Sequence, residues 1–220
     1  DDSLLLNQAI DSKRSVLFEG AQGTHLDVDH GTYPFVTSSS SSAGGACIGT
    51  GVGPTRIDRV LGVTKAYTTR VGSGPFPTEL SGQIGEGLRK RGQEFGSTTG
   101  RIRRCGWLDM VVLRYAVRVN GCTSLAVTKL DVLDGIAQLK IAVGYRYHGK
   151  LYKNMPSDLA VLTECSPVYE TLPGWTDATT GVTSYKKLPV EAKQYLARIE
   201  ELTSCPIDIC LLYTSDAADE

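Results

Sequence analysis

The sequence predicts an α/β protein. Short β-prone runs open directly into Gly-rich loops, and amphipathic helical stretches follow them. One run, Leu125 to Thr128, is apolar enough for a strand buried on both faces. Functional loops in such folds lie at the carboxyl ends of strands, and three loops fit that placement: Gly20–Thr24, Gly96–Arg104 and Lys129–Asp134.

In chain order, residues 1–15 read as the end of a polar or helical segment. Val16 to Glu19 reads as a short strand running into the tight loop Gly20-Ala21-Gln22-Gly23. From Thr24 to Pro54 the chain is rich in Gly, Ser and Thr, with five consecutive serines at Ser38–Ser42 and no helical period. A flexible linker is one reading, but Tyr33, Phe35 and Val36 can anchor the segment. Residues 56–72 predict a helix start and then a β run from Ala66 to Val71, stopped by Gly72-Ser73-Gly74-Pro75. Residues 81–94 predict a helix in part.

Leu108, Val111, Val112, Tyr115, Ala116 and Val119 form one apolar helix face closed by Asn120-Gly121. Residues 138–147 alternate and turn at His148-Gly149. Pro189 to Leu202 reads as a second helix with an early proline, and Ile207-Asp208-Ile209 as a closing strand.

The 220 residues carry 23 Lys+Arg against 24 Asp+Glu, a net charge of −1. No long-range positive field is available for nucleic acid or an anionic membrane surface. No stretch approaches the ~20 apolar residues of a membrane span, and no apolar signal segment is seen after Asp1. The six cysteines lack CxxC spacing and, with 41% apolar residues, read as reduced, mostly buried thiols of an intracellular protein.

Four constellations carry chemistry. Thr128-Lys129-Leu130-Asp131 ends a buried strand in Lys-x-Asp. A carboxylate there can accept two parallel hydrogen bonds from the N1–H and 2-amino groups of guanine, with the Lys stem along the base and its ammonium in water. Taken alone, a surface ion pair is the commoner reading of such a triplet. Gly96-Ser97-Thr98-Thr99-Gly100-Arg101-Ile102-Arg103-Arg104 frees backbone amides beside three arginines. Arg101 and Arg103, two apart, point the same way if extended, and guanidinium forks suit a small dicarboxylate; a solvated basic patch is the alternative. Gln22, on its glycine-framed loop, suits the polar edge of a base or simply stabilises a turn. Thr37 and the hydroxyls after it could bind phosphate or form a plain Ser/Thr turn. His25 and His30 beside Asp27 and Asp29 read as local turn and capping groups, as do Asp109 and Asp134.

FEGAQGT, DHGTYPFVTSS, KAYTTRVGSGPFPTE, STTGRIRRCGWLD, TKLDVLDG and YETLPGW follow one another in the order found in adenylosuccinate synthetases, and residues 16–209 resemble that family. The resemblance implies a partial α/β ligase fold, P-loop-like, with a central mostly parallel sheet flanked by helices. It implies a GTP-dependent ligase joining IMP and L-aspartate through 6-phosphoryl-IMP, with Mg²⁺, in a cytoplasmic homodimer of purine synthesis.

By motif position, it implies IMP contacts at Gln22, Thr37, Val71 and Arg101. It implies aspartate contacts across Ser97, Thr98, Thr99, Gly100, Arg101, Ile102 and Arg103, and GTP contacts at Arg103, Lys129, Leu130 and Asp131. Ile102 stands where many members have a basic residue. The family's N-terminal half, with its phosphate loop, catalytic Asp and His and the Mg²⁺ contacts, has no counterpart in residues 1–15. Residues 1–209 are therefore expected to be a partial domain without catalytic or metal residues of its own, and residues 210–220 an unmatched tail. The alternative for this polypeptide is a non-catalytic guanine-nucleotide-binding module.

Overall fold

A computed structural model describes residues 1–96 and 100–212. Helix α1 (Asp2–Asp11) is capped by Asp1, whose carboxylate accepts from the Leu4 N–H, and it buries no side chain. Val16–Glu19 forms no strand, and Leu17 is largely exposed: a short β-prone run needs an edge to pair with, and no described strand lies along it.

The Ser-rich stretch, expected to be free of helix, contains α2 (Ala43–Thr50), ended by Gly51 in the left-handed region. Asn120 Oδ1 accepts from the Ala43 N–H at 2.7 Å, so a distant side chain caps this helix where its own composition gives no apolar period.

The helix start expected after residue 56 is a single 3-10 turn, Pro54–Arg56. The chain then forms β1 (Leu61–Lys65) and β2 (Thr68–Val71), where one run was expected. Buried Ala66 and Tyr67 divide them, and the Tyr195 hydroxyl donates to the Ala66 carbonyl at 2.7 Å. Helix α3 (Gln83–Arg91) ends in Arg89, Lys90 and Arg91, favourable at a helix C-terminus. Then come β3 (Arg103–Gly106), β4 (Leu108–Asp109) and α4 (Met110–Asn120). Asp109 caps α4 through the N–H groups of Val111 and Val112, and Gly121 closes it at φ 61°.

Strand β5 (Ser124–Thr128) runs into a 3-10 turn at Leu130–Leu133. Strands β6 (Gln138–Tyr147) and β7 (Lys150–Tyr152) form a hairpin about the expected turn, with His148 and Gly149 both at positive φ; the second strand was not expected. Helix α5 (Leu159–Glu164) and β8 (Ser166–Pro173) were not anticipated. Helix α6 (Val190–Thr203) follows Pro189, and β9 (Ile207–Leu211) is the last described strand.

The central sheet has the order β1-β5-β9 and is parallel throughout. Among the described strands, β2 with β3 and β6 with β7 and β8 pair antiparallel, while β4 joins β6 in parallel. The main core includes Leu88, Met110, Leu125, Leu130, Ile141 and Ile199. No described helix is long and apolar enough to cross a membrane.

Candidate functional site

The register of the parallel sheet fixes the first part of the site. Lys65 lies opposite Thr128, so β1 and β5 end together and present Lys65 and Lys129 at one carboxyl edge. Lys129 leaves the strand in the left-handed region (φ 58°), while its N–H still donates to the Leu211 carbonyl at 3.1 Å. The chain then turns through buried Leu130 to half-buried Asp131.

The wet ammonium expected for Lys129 is not found. Lys129 is buried, donating from Nζ to the Gly92 carbonyl at 2.8 Å and lying 3.6 Å from Glu94 Oε1. These oxygens replace water around the charge. Burial, and secondarily the negative charge of Asp131, pushes the Cys210 thiol up to about 11; Asp131 also contributes to the raised pKa of Tyr67. The carboxylate therefore acts on both β9 and the β1–β2 junction. Cys210 and Leu212 also line a cleft of about 560 Å³ with Tyr185, Leu188, Glu200 and Asp208.

Glu94, which the sequence reading passed over, binds these elements together. It is fully buried, and its carboxylate accepts from Lys65 Nζ at 2.7 and 2.9 Å, from the Tyr67 hydroxyl at 2.5 Å and from Arg103 Nη1 at 3.2 Å. Burial alone would raise its pKa. Lys65, Tyr67 and Lys129 outweigh that and hold the carboxyl below its usual range. Burial likewise lowers the Lys65 ammonium, against the pull of Glu94.

Ser97, Thr98 and Thr99 lie outside the described residues. Around them the loop closes on itself: the Gly96 N–H donates to the Arg101 carbonyl, the Gly100 N–H donates to the Gly96 carbonyl, and Phe95 bridges Ile102. Arg101 and Ile102 are exposed. Arg103 pairs across the ribbon with Val71, which puts these two predicted ligand contacts side by side.

Arg104 does not join the other arginines, because successive strand residues face opposite ways. Its guanidinium holds the Glu79 carboxylate and the carbonyls of Gly72 and Gly74.

The segment around Gln22 and Thr37 is folded, not a linker. Buried Asp27 accepts from the N–H groups of Asp29, His30 and Ser42, each at 2.9 Å. Burial would raise its pKa, but these backbone donors reverse the shift and leave it below the usual range. Gln22 is exposed, in the left-handed region, and the next carbonyl, Gly23, accepts from the Ser41 hydroxyl at 3.0 Å. Thr37 Oγ1 accepts from the Ser39 N–H at 3.0 Å, a local Ser/Thr turn, and the Thr37 N–H donates to the Leu26 carbonyl at 2.8 Å, which joins the two loops.

Arg70, a second residue sequence reading missed, latches this segment to β2. It donates to Thr32 Oγ1 at 2.8 Å, to the Phe35 carbonyl at 3.0 Å and to the Ser73 carbonyl at 3.1 Å. Burial first, then Arg70, pushes His25 down to about 4, so its imidazole is neutral at pH 7. Its Nε2 is shut away from solvent without a hydrogen-bond partner.

Lys129, Asp131, Arg103 and Val71 are thus brought into one neighbourhood, and Arg70, next to Val71, connects it to the Thr32–Thr37 loop. Among the described residues, Gln22 is joined to it through that loop, and Arg101 through its backbone carbonyl. No group of three or more His, Cys, Asp or Glu among the described residues is placed to hold a metal ion.

A family model described as adenylosuccinate synthetase matches residues 1–212. An adenylosuccinate synthetase from Thermodesulfovibrio yellowstonii is 57% identical over 220 residues, covering 100% of this chain and 51% of that protein. One from Carboxydothermus hydrogenoformans is 62% identical over 209 residues, covering 95% and 49%. A solved structure of fully ligated adenylosuccinate synthetase from Plasmodium falciparum superposes with a TM-score of 0.92 at 36% identity, covering 97% of this chain and 54% of that one. The chain spans about half the length of the curated relatives it matches.

Proposed function

Because this chain belongs to the adenylosuccinate synthetase family, we propose that the protein it forms part of joins IMP and L-aspartate with GTP, giving adenylosuccinate, GDP and phosphate. The N1 proton of IMP is removed and its O6 takes the γ-phosphoryl group of GTP. The aspartate amine then attacks C6, the C6–O bond breaks and phosphate leaves. Phosphorylation makes a poor leaving oxygen into a good one, so the protein's part is largely positioning and charge stabilisation.

The observation that carries the reading is the shared neighbourhood of the Lys129–Asp131 turn and Arg103, joined through Glu94. In it Asp131 accepts from the guanine N1–H and 2-amino groups, with Lys129 and Leu130 shaping the same pocket. Arg103 serves both GTP and aspartate, and Ser97, Thr98, Thr99, Gly100, Arg101 and Ile102 complete the aspartate loop. Gln22 contacts the 6-position of IMP, Thr37 its 5′-phosphate, and Val71 and Arg101 its ribose.

The groups that remove the proton and hold Mg²⁺ belong to the remainder of the protein, and Mg²⁺ there supplies charge neutralisation for the phosphates. The intact protein is a cytoplasmic homodimer with neither nucleic acid nor membrane as a partner. This chain by itself binds guanine nucleotide without turnover, a second reading favoured by its spanning only half of its relatives.

The test is Asp131→Asn in the intact protein. The amide reverses one donor–acceptor pair, so selectivity should move from GTP to XTP by about a hundredfold, the discrimination expected of about 3 kcal/mol of mismatched hydrogen bonding. An unchanged preference for GTP refutes the pairing. Turnover by the 220-residue chain alone refutes the division of labour.

A further inference from the structure

We propose that Glu94 is a positioning residue for GTP and L-aspartate, fixing the guanine-binding turn and Arg103 against each other. The proposal rests on the function proposed above. Glu94 precedes the Gly96–Arg104 loop by two residues, and its backbone closes that loop: its N–H donates to the Arg89 carbonyl and its carbonyl accepts from the Arg103 N–H at 3.0 Å. Its side chain reaches out of the loop to cations on three elements: Lys65 at the end of β1, Arg103 at the start of β3 and Lys129 after β5.

β3 and β5 belong to different sheets, so no ladder of backbone hydrogen bonds sets the distance between Arg103 and Lys129. The carboxylate they share spans it, beside the Gly92 carbonyl that also holds Lys129 Nζ. A buried acceptor tied to three cations and a phenol is held from several directions, so it fixes its partners more rigidly than an exposed pair does.

The cluster is not sealed in the core, since the Lys65 and Arg103 side chains are 23% and 19% exposed. An anion arriving at this edge meets a guanidinium whose direction is already fixed. Such preorganisation lowers the cost of binding a triphosphate or a dicarboxylate. IMP meets this loop at Arg101 alone; its other contacts are assigned to Gln22, Thr37 and Val71, on the side where Arg70 holds the Thr32–Thr37 loop.

Steady-state kinetics of the intact protein test this, with each substrate varied in turn. Glu94→Gln keeps the shape and removes the charge. It should raise KM for GTP and for L-aspartate about tenfold while KM for IMP stays within about twofold. Glu94→Asp keeps the charge but withdraws it by one methylene, and should show the same pattern at about threefold, which serves if the glutamine variant does not fold. A merely structural role predicts a lower Tm and a smaller active fraction with all three KM values unchanged. KM values for GTP and aspartate within a factor of two of the parent, in whichever variant folds, overturn the proposal. If the parent itself does not turn over IMP, GTP and aspartate, the assigned function fails first, and the two failures are told apart.

Discussion

Two buried groups of opposite chemistry should make the stability of this chain nearly indifferent to mild acid, and removing either should reveal the other. His25 has its pKa lowered from 6.5 to about 4 by burial and by Arg70. Asp109 has its pKa raised from 3.8 to about 6, because burial outweighs its hydrogen bonds from Tyr145, Val112 and Val111.

Linkage gives the two signs. Between pH 4 and 6.5 the unfolded chain binds a proton at His25 that the native chain refuses, so this contribution is present above the unfolded value and is lost as pH falls. For Asp109 the native chain binds the proton that the unfolded chain releases. Its contribution is full below the unfolded value and is lost as pH rises through about 6.

With 1.36 kcal/mol per pKa unit, taking the protein from pH 7 to pH 4.5 costs about 2 kcal/mol through His25 and gains about 2 kcal/mol through Asp109. Asp27, Glu79 and Glu94 have lowered values, and their losses come below this window. His25→Leu should therefore be about 2 kcal/mol more stable at pH 4.5 than at pH 7, and Asp109→Asn about 2 kcal/mol less stable. The asparagine keeps an oxygen for the helix cap. Urea unfolding across pH 4.5–7 measures both slopes. If the two variants slope the same way, or both keep the parent's flat profile, the opposition does not exist.

Two further outcomes follow from buried polar contacts. The Tyr145 hydroxyl donates to Asp109 Oδ2 at 2.6 Å, so Asp109→Ala should cost about 3 kcal/mol, from a lost cap and an orphaned buried hydroxyl. Tyr145→Phe should cost about 1.5 kcal/mol, and the double variant about 1 to 2 kcal/mol less than the sum, because the second change removes the orphan left by the first; an additive cycle in denaturant would contradict this. Arg70→Met leaves acceptors at Thr32, Phe35 and Ser73 without their donor and should destabilise by about 3 kcal/mol. It should also let His25 titrate at higher pH, which NMR of the imidazole reads directly.

What was legible in the sequence was local. Asp109 and Gly121 announce the two ends of α4, His148-Gly149 announces a hairpin, and the buried run Leu125–Thr128 announces β5; each depends on neighbours within a few positions. The candidate site was legible at Lys129, Asp131 and the arginine loop, through motifs and their order. Glu94 and Arg70 were not, because Lys65 and Thr32, which give them their meaning, lie 29 and 38 residues away. Lys129 misled for the same reason: a lysine beside a strand end reads as wet until Gly92 and Glu94 fold over it. β8 escaped notice because its only described strand partner is β6, and its half-buried residues show no clean alternation.

β1 forms one margin of the parallel sheet, pairing with β5 alone among the described strands, and Val63 on it is 73% exposed. Parallel strands are ordinarily sheltered on both faces. An apolar margin of this kind is a template onto which a further strand can zip, whether it comes from the rest of the protein, since this chain spans about half its relatives' length, or from another molecule.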